Sequence, residues 1–189
     1  DKLPETSSYL NGYLNGLMES QLKVYGYYFI EEVLPDHIIQ EFKKNLPGFY
    51  SSPLENFLTD RITTAQLYIG NKITALERMQ TMKYLSQHLS VDLYTGSDTS
   101  KLPLIHNRGF AKTLTEMPII FHESKINLNT TSKAIRSGIP LRVFDILACE
   151  GFMLSNYQNE LVEFFEPDVD FVCYGSMEEM VEKAKEEVA

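Results

Sequence analysis

The chain has 189 residues, with 17 Lys and Arg against 26 Asp and Glu and a formal net charge of -9. That length suits one compact domain, or one domain with a helical attachment, and allows a core of ordinary size. The acidic balance works against binding to nucleic acid or to an anionic membrane surface, and no apolar run is long enough to span a bilayer. Part of the charge is local, because Glu178, Glu179, Glu182, Glu186 and Glu187 crowd the last helix and read as a solvated face. The two cysteines, Cys149 and Cys173, lie in apolar segments outside any CxxC pair or Cys/His array, which predicts reduced core residues of a cytoplasmic protein.

Up to about residue 90 the pattern is helical. Ser7 and Ser8 suit the cap of a helix whose apolar positions Leu10, Leu14, Leu17, Met18, Leu22 and Tyr25 recur three and four apart, and Leu34-Pro35 stops it. Asp36 is expected to cap a short helix to about Asn45, closed by Pro47-Gly48. Ser52-Pro53-Leu54-Glu55 is a capping-box start for a helix, or two with a break near Asp60, running to about His88. Its buried face is expected to include Leu67, Ile73, Leu76, Met79, Met82 and Leu85.

From residue 90 strands and helices alternate. Strands are predicted at Val91–Tyr94, near His106–Phe110, and at Ile126–Asn129, Phe152–Ser155 and Val169–Tyr174. Helices are predicted at Glu116–His122, Leu141–Cys149 and Asn159–Phe165, followed by a last helix capped by Ser176 with Glu179 at the capping-box position. This alternation predicts an α/β, Rossmann-like parallel sheet with helices on both faces, preceded by an α-helical segment: residues 1–88 helical, residues 89–189 the lobe. Ligands of such sheets bind beyond the carboxyl ends of the strands, here rich in Gly, Ser, Thr and Asn.

The segment richest in chemistry is Ile126–Asn156. A loop ending in Gly138-Ile139-Pro140 leads into a helix N-terminus, whose unpaired N–H groups and dipole favour a phosphate. Arg142 in the first turn could add a charged fork to a diphosphate, and Asp145, three residues on, could accept hydrogen bonds from ribose hydroxyls. Read alone, these residues fit equally a turn and a structural helix ion pair. His106 and His122 flank the second strand and the helix after it. An acid–base role with Glu123 is conceivable for His122, although a satisfied structural histidine is the simpler reading. No residue spacing matches a metal site, and neither a GxSxG elbow nor a Walker A loop is present. The aromatic run Tyr25, Tyr27, Tyr28 and Phe29 reads most simply as helix packing, with a contact to a missing N-terminal lobe as the alternative.

Several elements occur together in one order: INLN ending at Asn129, Gly138-Ile139-Pro140, Arg142-x-Phe144-Asp145, Ala148-Cys149, Glu160-Leu161, Phe165-x-Pro167, and Tyr174 before Ser176-x-Glu178-Glu179. This order resembles the C-terminal region of CgeB-like (spore maturation protein) group-1 glycosyltransferases of the GT-B fold. The likeness extends more weakly to Glu77-Arg78 and Val91–Gly96, and the helical first half resembles the preceding segment of gut-bacterial relatives. The resemblance implies a lobe that binds a nucleotide-diphosphate sugar, with UDP the default carrier, for transfer to an unknown acceptor. It implies Gly96 and the loop Arg108-Gly109-Phe110 near the base, Asn129 at the strand end, backbone N–H groups of Gly138 and Ile139 towards the phosphates, Asp145 on the ribose, and Arg142 as the catalytic cation neutralising the leaving diphosphate. It implies no metal or other cofactor. The missing N-terminal lobe of the same protein would supply the acceptor site, so that the isolated chain transfers little or no sugar.

Two positions depart from the family pattern: Ser137 stands where the first acid of Glu-x7-Glu would fall, and Glu150 where relatives carry Gly. Two rival readings remain at this level. One is a non-catalytic Rossmann-like binding module, although a receiver domain needs a phosphorylatable Asp at a strand end and INLN ends in Asn129. The other is an interaction scaffold built on the first helices.

Overall fold

A computed structural model of the chain describes residue 3, residues 7–50 and residues 60–189. The chain divides into two compact units, Asp1–Glu77 with Ser132–Arg136, and Arg78–Thr131 with Ser137–Ala189.

In the first unit, helix α1 spans Ser8–Leu22, capped by Ser7, whose hydroxyl accepts from the Leu10 N–H at 3.3 Å. It buries Leu10, Leu14, Met18, Gln21 and Leu22. The apolar pattern predicts a helix continuing to Leu34, and α1 stops well short of it because Gln21 captures the backbone beyond. The fully buried Gln21 amide donates to Tyr27 O at 2.8 Å and accepts from the Phe29 N–H at 2.9 Å, while Gly26 turns the chain at φ 75°. The short α2, Ile30–Val33, and α3, Asp36–Asn45, come next. Asp36 does not cap α3. Pro35 occupies that position, and Asp36 instead pairs with Arg61, whose guanidinium also donates to the carbonyls of Glu31 (2.9 Å) and Leu34 at the end of α2. The expected capping box at Ser52–Glu55 lies outside the described residues.

One helical run then passes from α4, Asp60–Ile62, through a π-helical stretch, Thr63–Ile69, into α5, Gly70–Ser86. Its buried line is Ile69, Ile73, Glu77, Thr81 and Leu85, whereas Leu67 and Met79 are exposed. The expected face is therefore rotated. Each π turn closes on i+5 and shifts the phase of the helix beyond it, and the buried line includes two polar residues that an apolar count leaves out. Leu10, Leu14, Met18, Tyr28, Ile38, Phe42, Ile69 and Ile73 share the core of this unit. The Tyr28 hydroxyl donates to Ala65 O there, and burial raises its pKa. Buried Lys133 meets Glu77 (3.5 Å), donates to Val24 O (2.9 Å) and lies 3.3 Å above the Tyr25 ring.

The second unit has the predicted alternation. Strand β1 (Val91–Leu93) pairs in parallel with β2 (Ile105–Asn107). Helix α6 (Met117–Glu123) leads to β3 (Asn127–Asn129), α7 (Leu141–Ala148), β4 (Met153–Asn156), α8 (Asn159–Phe164), β5 (Val172–Tyr174) and α9 (Met177–Val188). β3, β4 and β5 form a second parallel sheet in sequence order. These short parallel sheets flanked by helices make a Rossmann-like lobe. β4 is buried at all four positions, as a parallel strand covered on both faces should be. Phe121, Val143, Ile146, Met153, Leu161 and Phe171 form a core, with Cys149 and Cys173 partly buried against it. Both thiols are free, and burial pushes that of Cys173 up.

Two strands are trimmed relative to expectation. β2 ends at Asn107, whose side chain accepts from the N–H of Gly109, a residue at φ 76°. β5 begins only at Val172 because residues 166–170 form a turn through Asp168 at φ 63°. Ser176 caps α9 as predicted, accepting from Glu179 N–H at 3.1 Å, and the Glu179 carboxylate reaches back to the N–H of Gly175 at 2.7 Å.

Candidate functional site

At the carboxyl ends of β3 and β4 a buried polar lattice fixes the backbone. The Asn129 amide donates to the hydroxyls of Thr131 (3.0 Å) and Ser155 (2.9 Å). Asn156 accepts from the Thr131 N–H (2.9 Å) and donates to the Thr131 carbonyl (2.8 Å), copying a strand pair with a side chain. All four side chains are buried. Asn129 thus lies within the lattice, where its amide locks two strand ends together.

Beyond this lattice the turn Ser137–Pro140 opens α7. Gly138 is exposed and adopts φ 99°, a left-handed conformation that favours glycine. Its N–H donates to Oε2 of Glu160, in the first turn of α8. The Ile139 side chain packs against the core of the lobe, which anchors the turn. Pro140 takes the cap position of α7, and Leu141 after it is 80% exposed.

Arg142 and Asp145 are both exposed on α7. The guanidinium carbon of Arg142 lies 5.2 Å from the ring centroid of Phe121 on α6, a cation–π contact. Among the described residues no ion pair joins it to Asp145. Arg142 also lines a cavity of about 600 Å³ together with Val91, Leu93, Phe121, Leu128 and Ile146, between the strands β1 and β3 that belong to different sheets. Asp145 is not part of that lining.

The other predicted residues meet at the ends of β1 and β2. Asp92 and His106 are register partners, and Asp92 Oδ1 lies 3.3 Å from His106 Nδ1 and 2.9 Å from Arg108 Nε. The carboxylate therefore holds Arg108 by its inner nitrogen. After the Gly109 turn, Phe110 reaches back so that its ring tip abuts Gly96. A Cβ on Gly96 would fall 2.1 Å from Phe110 Cζ and 2.5 Å from Cε2. Phe110 is 86% exposed. Gly96, Arg108, Gly109 and Phe110 thus form one surface, and Gly138, Ile139, Arg142 and Asp145 share a second stretch of chain, from the turn into α7.

The two histidines have structural partners, His106 on Asp92 and His122 at 3.0 Å from the Cys149 carbonyl. Glu150, at the exit of α7, adopts φ 55°, which explains why glycine suits this position. Sequence reasoning passed over Glu160, Asp92 and Phe121 as functional neighbours. Glu160 had a signal in the Glu-Leu pair after β4. Asp92 and Phe121 had none, because their partners lie 16 and 21 residues along the chain.

Among the described residues no helix is long and apolar enough to cross a membrane. No curated protein and no solved structure matches the chain at a significant level. Residues 76–188, more than half of the chain and including all nine of these predicted site residues, match the family model described as glycosyl transferase-like, and the chain belongs to that family.

Proposed function

We propose that the Rossmann-like lobe is the donor side of a sugar-transfer enzyme of the CgeB-like type and that it binds a nucleoside-diphosphate sugar, with UDP as the carrier. The observation that carries this reading is the exposed Ser137–Pro140 turn at the carboxyl end of β3, where the Gly138 N–H already holds an anionic oxygen. In this reading the N–H groups of Gly138 and Ile139 face the diphosphate, Asp145 takes the ribose hydroxyls, and Gly96 with Arg108–Phe110 lies by the base. Asn129 acts indirectly, by fixing the strand ends. Arg142 swings from Phe121 to the phosphates and offsets the negative charge that builds on the diphosphate as the glycosidic bond breaks. The acceptor and any catalytic base come from a second lobe, so this chain is expected to bind donor without transferring sugar at an appreciable rate.

Calorimetric titration with UDP, GDP and their sugars tests the proposal. A nucleotide is expected to bind, and Arg142→Ala should weaken it about tenfold while the melting temperature holds, as for loss of one charge-assisted contact. Unchanged affinity in that variant would remove Arg142 from the site, and the absence of binding by any nucleotide would remove the donor reading.

A further inference from the structure

The loop between β3 and α7 leaves the lobe and returns to it. Ser132–Arg136 belongs to the helical unit, and the lobe resumes at Ser137, the first residue of the turn that opens α7. This strap is tied down along its length. The Ser132 and Thr74 hydroxyls share a hydrogen bond of 2.6 Å. The Lys133 ammonium, on a side chain with 5% exposure, meets Glu77, the Val24 carbonyl and the face of the Tyr25 ring. Ala134 packs on the core of the unit so closely that a Cβ at Gly70 would fall 2.6 Å from its own. Arg136 pairs with Glu31 at 3.2 Å. A buried cation cannot leave its partners without a large desolvation cost, so Lys133 resists sliding as an apolar side chain would not.

We propose that Lys133 is a positioning residue for the phosphate turn: with its neighbours it holds the chain that enters Ser137–Pro140, and so aims the N–H groups of Gly138 and Ile139. The turn needs this support. Gly138, at φ 99°, is exposed, and glycine by itself has little conformational preference. After it the backbone is held by Ile139 against the core of the lobe, and before it by the strap. Donors fixed before a ligand arrives avoid the entropy loss of ordering a loop on binding. The strap's partners other than Glu77 lie at or before Thr74, so the helical unit acquires a task, the shaping of this turn through chain continuity. The inference rests on the donor reading and adds to it the residue that sets the turn.

Calorimetric titration of the full 189-residue chain with UDP tests the proposal. Lys133→Met should weaken UDP about tenfold, and Lys133→Met with Glu77→Leu, which regains stability in urea, should bind it as weakly. A merely structural lysine would let affinity return with stability. Gly70→Ala is a second probe that removes no charge. Gly70 has helical backbone angles (φ -61°), which suit alanine, but Ala134 carries its Cβ directly on the strap backbone, which must shift. This variant too should bind UDP about tenfold more weakly. Hydrogen exchange reads the turn without ligand: in Lys133→Met and in Gly70→Ala the Gly138 amide should exchange faster, by a larger factor than the amides of β4. The proposal is refuted if affinity returns in the double variant, if Gly70→Ala binds UDP like the parent chain, or if exchange at Gly138 rises no more than that of β4. Should no nucleotide bind the parent chain, the donor reading falls, and the exchange rates alone decide whether Lys133 sets the turn.

Discussion

The backbone N–H of Gly138 donates to the carboxylate of Glu160, joining the turn before α7 to the first turn of α8. The protein thus fills with its own carboxylate the place proposed for a diphosphate. A donor arriving there meets like charge and must displace it. Glu160→Gln removes the charge and should tighten UDP up to about tenfold in a calorimetric titration. Weaker binding by the variant would show that the carboxylate shapes the turn for its ligand.

Lys133 and Glu77 form a pair with 5% and 2% side-chain exposure. Burial pulls the Lys133 pKa below its ordinary value, and Glu77 offsets this in part. Lys133→Met removes the cation that faces the buried Glu77 carboxylate and should lower stability in urea unfolding. Lys133→Met with Glu77→Leu should recover part of that loss, because the buried carboxylate then leaves together with its cation.

Glu150 sits in the left-handed region at φ 55°. Replacing it with Gly relieves about 1 kcal/mol of backbone strain and should raise the melting temperature. The next residue behaves in the opposite way. A Cβ at Gly151 would fall 2.6 Å from Phe121 O and 2.8 Å from Asn127 Nδ2, so Gly151→Ala should lower the melting temperature.

The Glu179 carboxyl is held below its ordinary value by Lys183 first and then by the Gly175 N–H. A depressed folded-state pKa stabilises the fold fully above the unfolded value, near 4.5, and that contribution is lost as pH falls through the folded-state value. Glu179→Gln should therefore flatten part of the decline in stability below about pH 4.5, as measured by thermal melts across a pH series.

Where structure is set by neighbours in sequence, the chain was legible. Ser7 and Ser176 cap their helices, the apolar run of β4 is buried throughout, and the turn Ser137–Pro140 opens α7. These outcomes depend on caps, periodicity and turn residues within a few positions. The rotated face of α5 was not legible, because a π stretch changed the phase and Glu77 found a buried cation more than fifty residues away. Nor was the end of α1, where one buried amide, Gln21, claims the backbone that the helix would have used.

The sequence by itself determined the order of the strands and helices of the lobe and, at the level of a glycosyl transferase-like domain, the family. It also named the loops where a ligand of such a fold would be held. Only the tertiary structure decided which partner each exposed group has: Gly138 with Glu160, Arg142 with Phe121, Arg108 with Asp92, Phe110 with Gly96. The physical reason is range. Backbone conformation responds to the few residues on either side, whereas a side chain's electrostatic and packing partners are whatever the completed fold brings within a few ångströms.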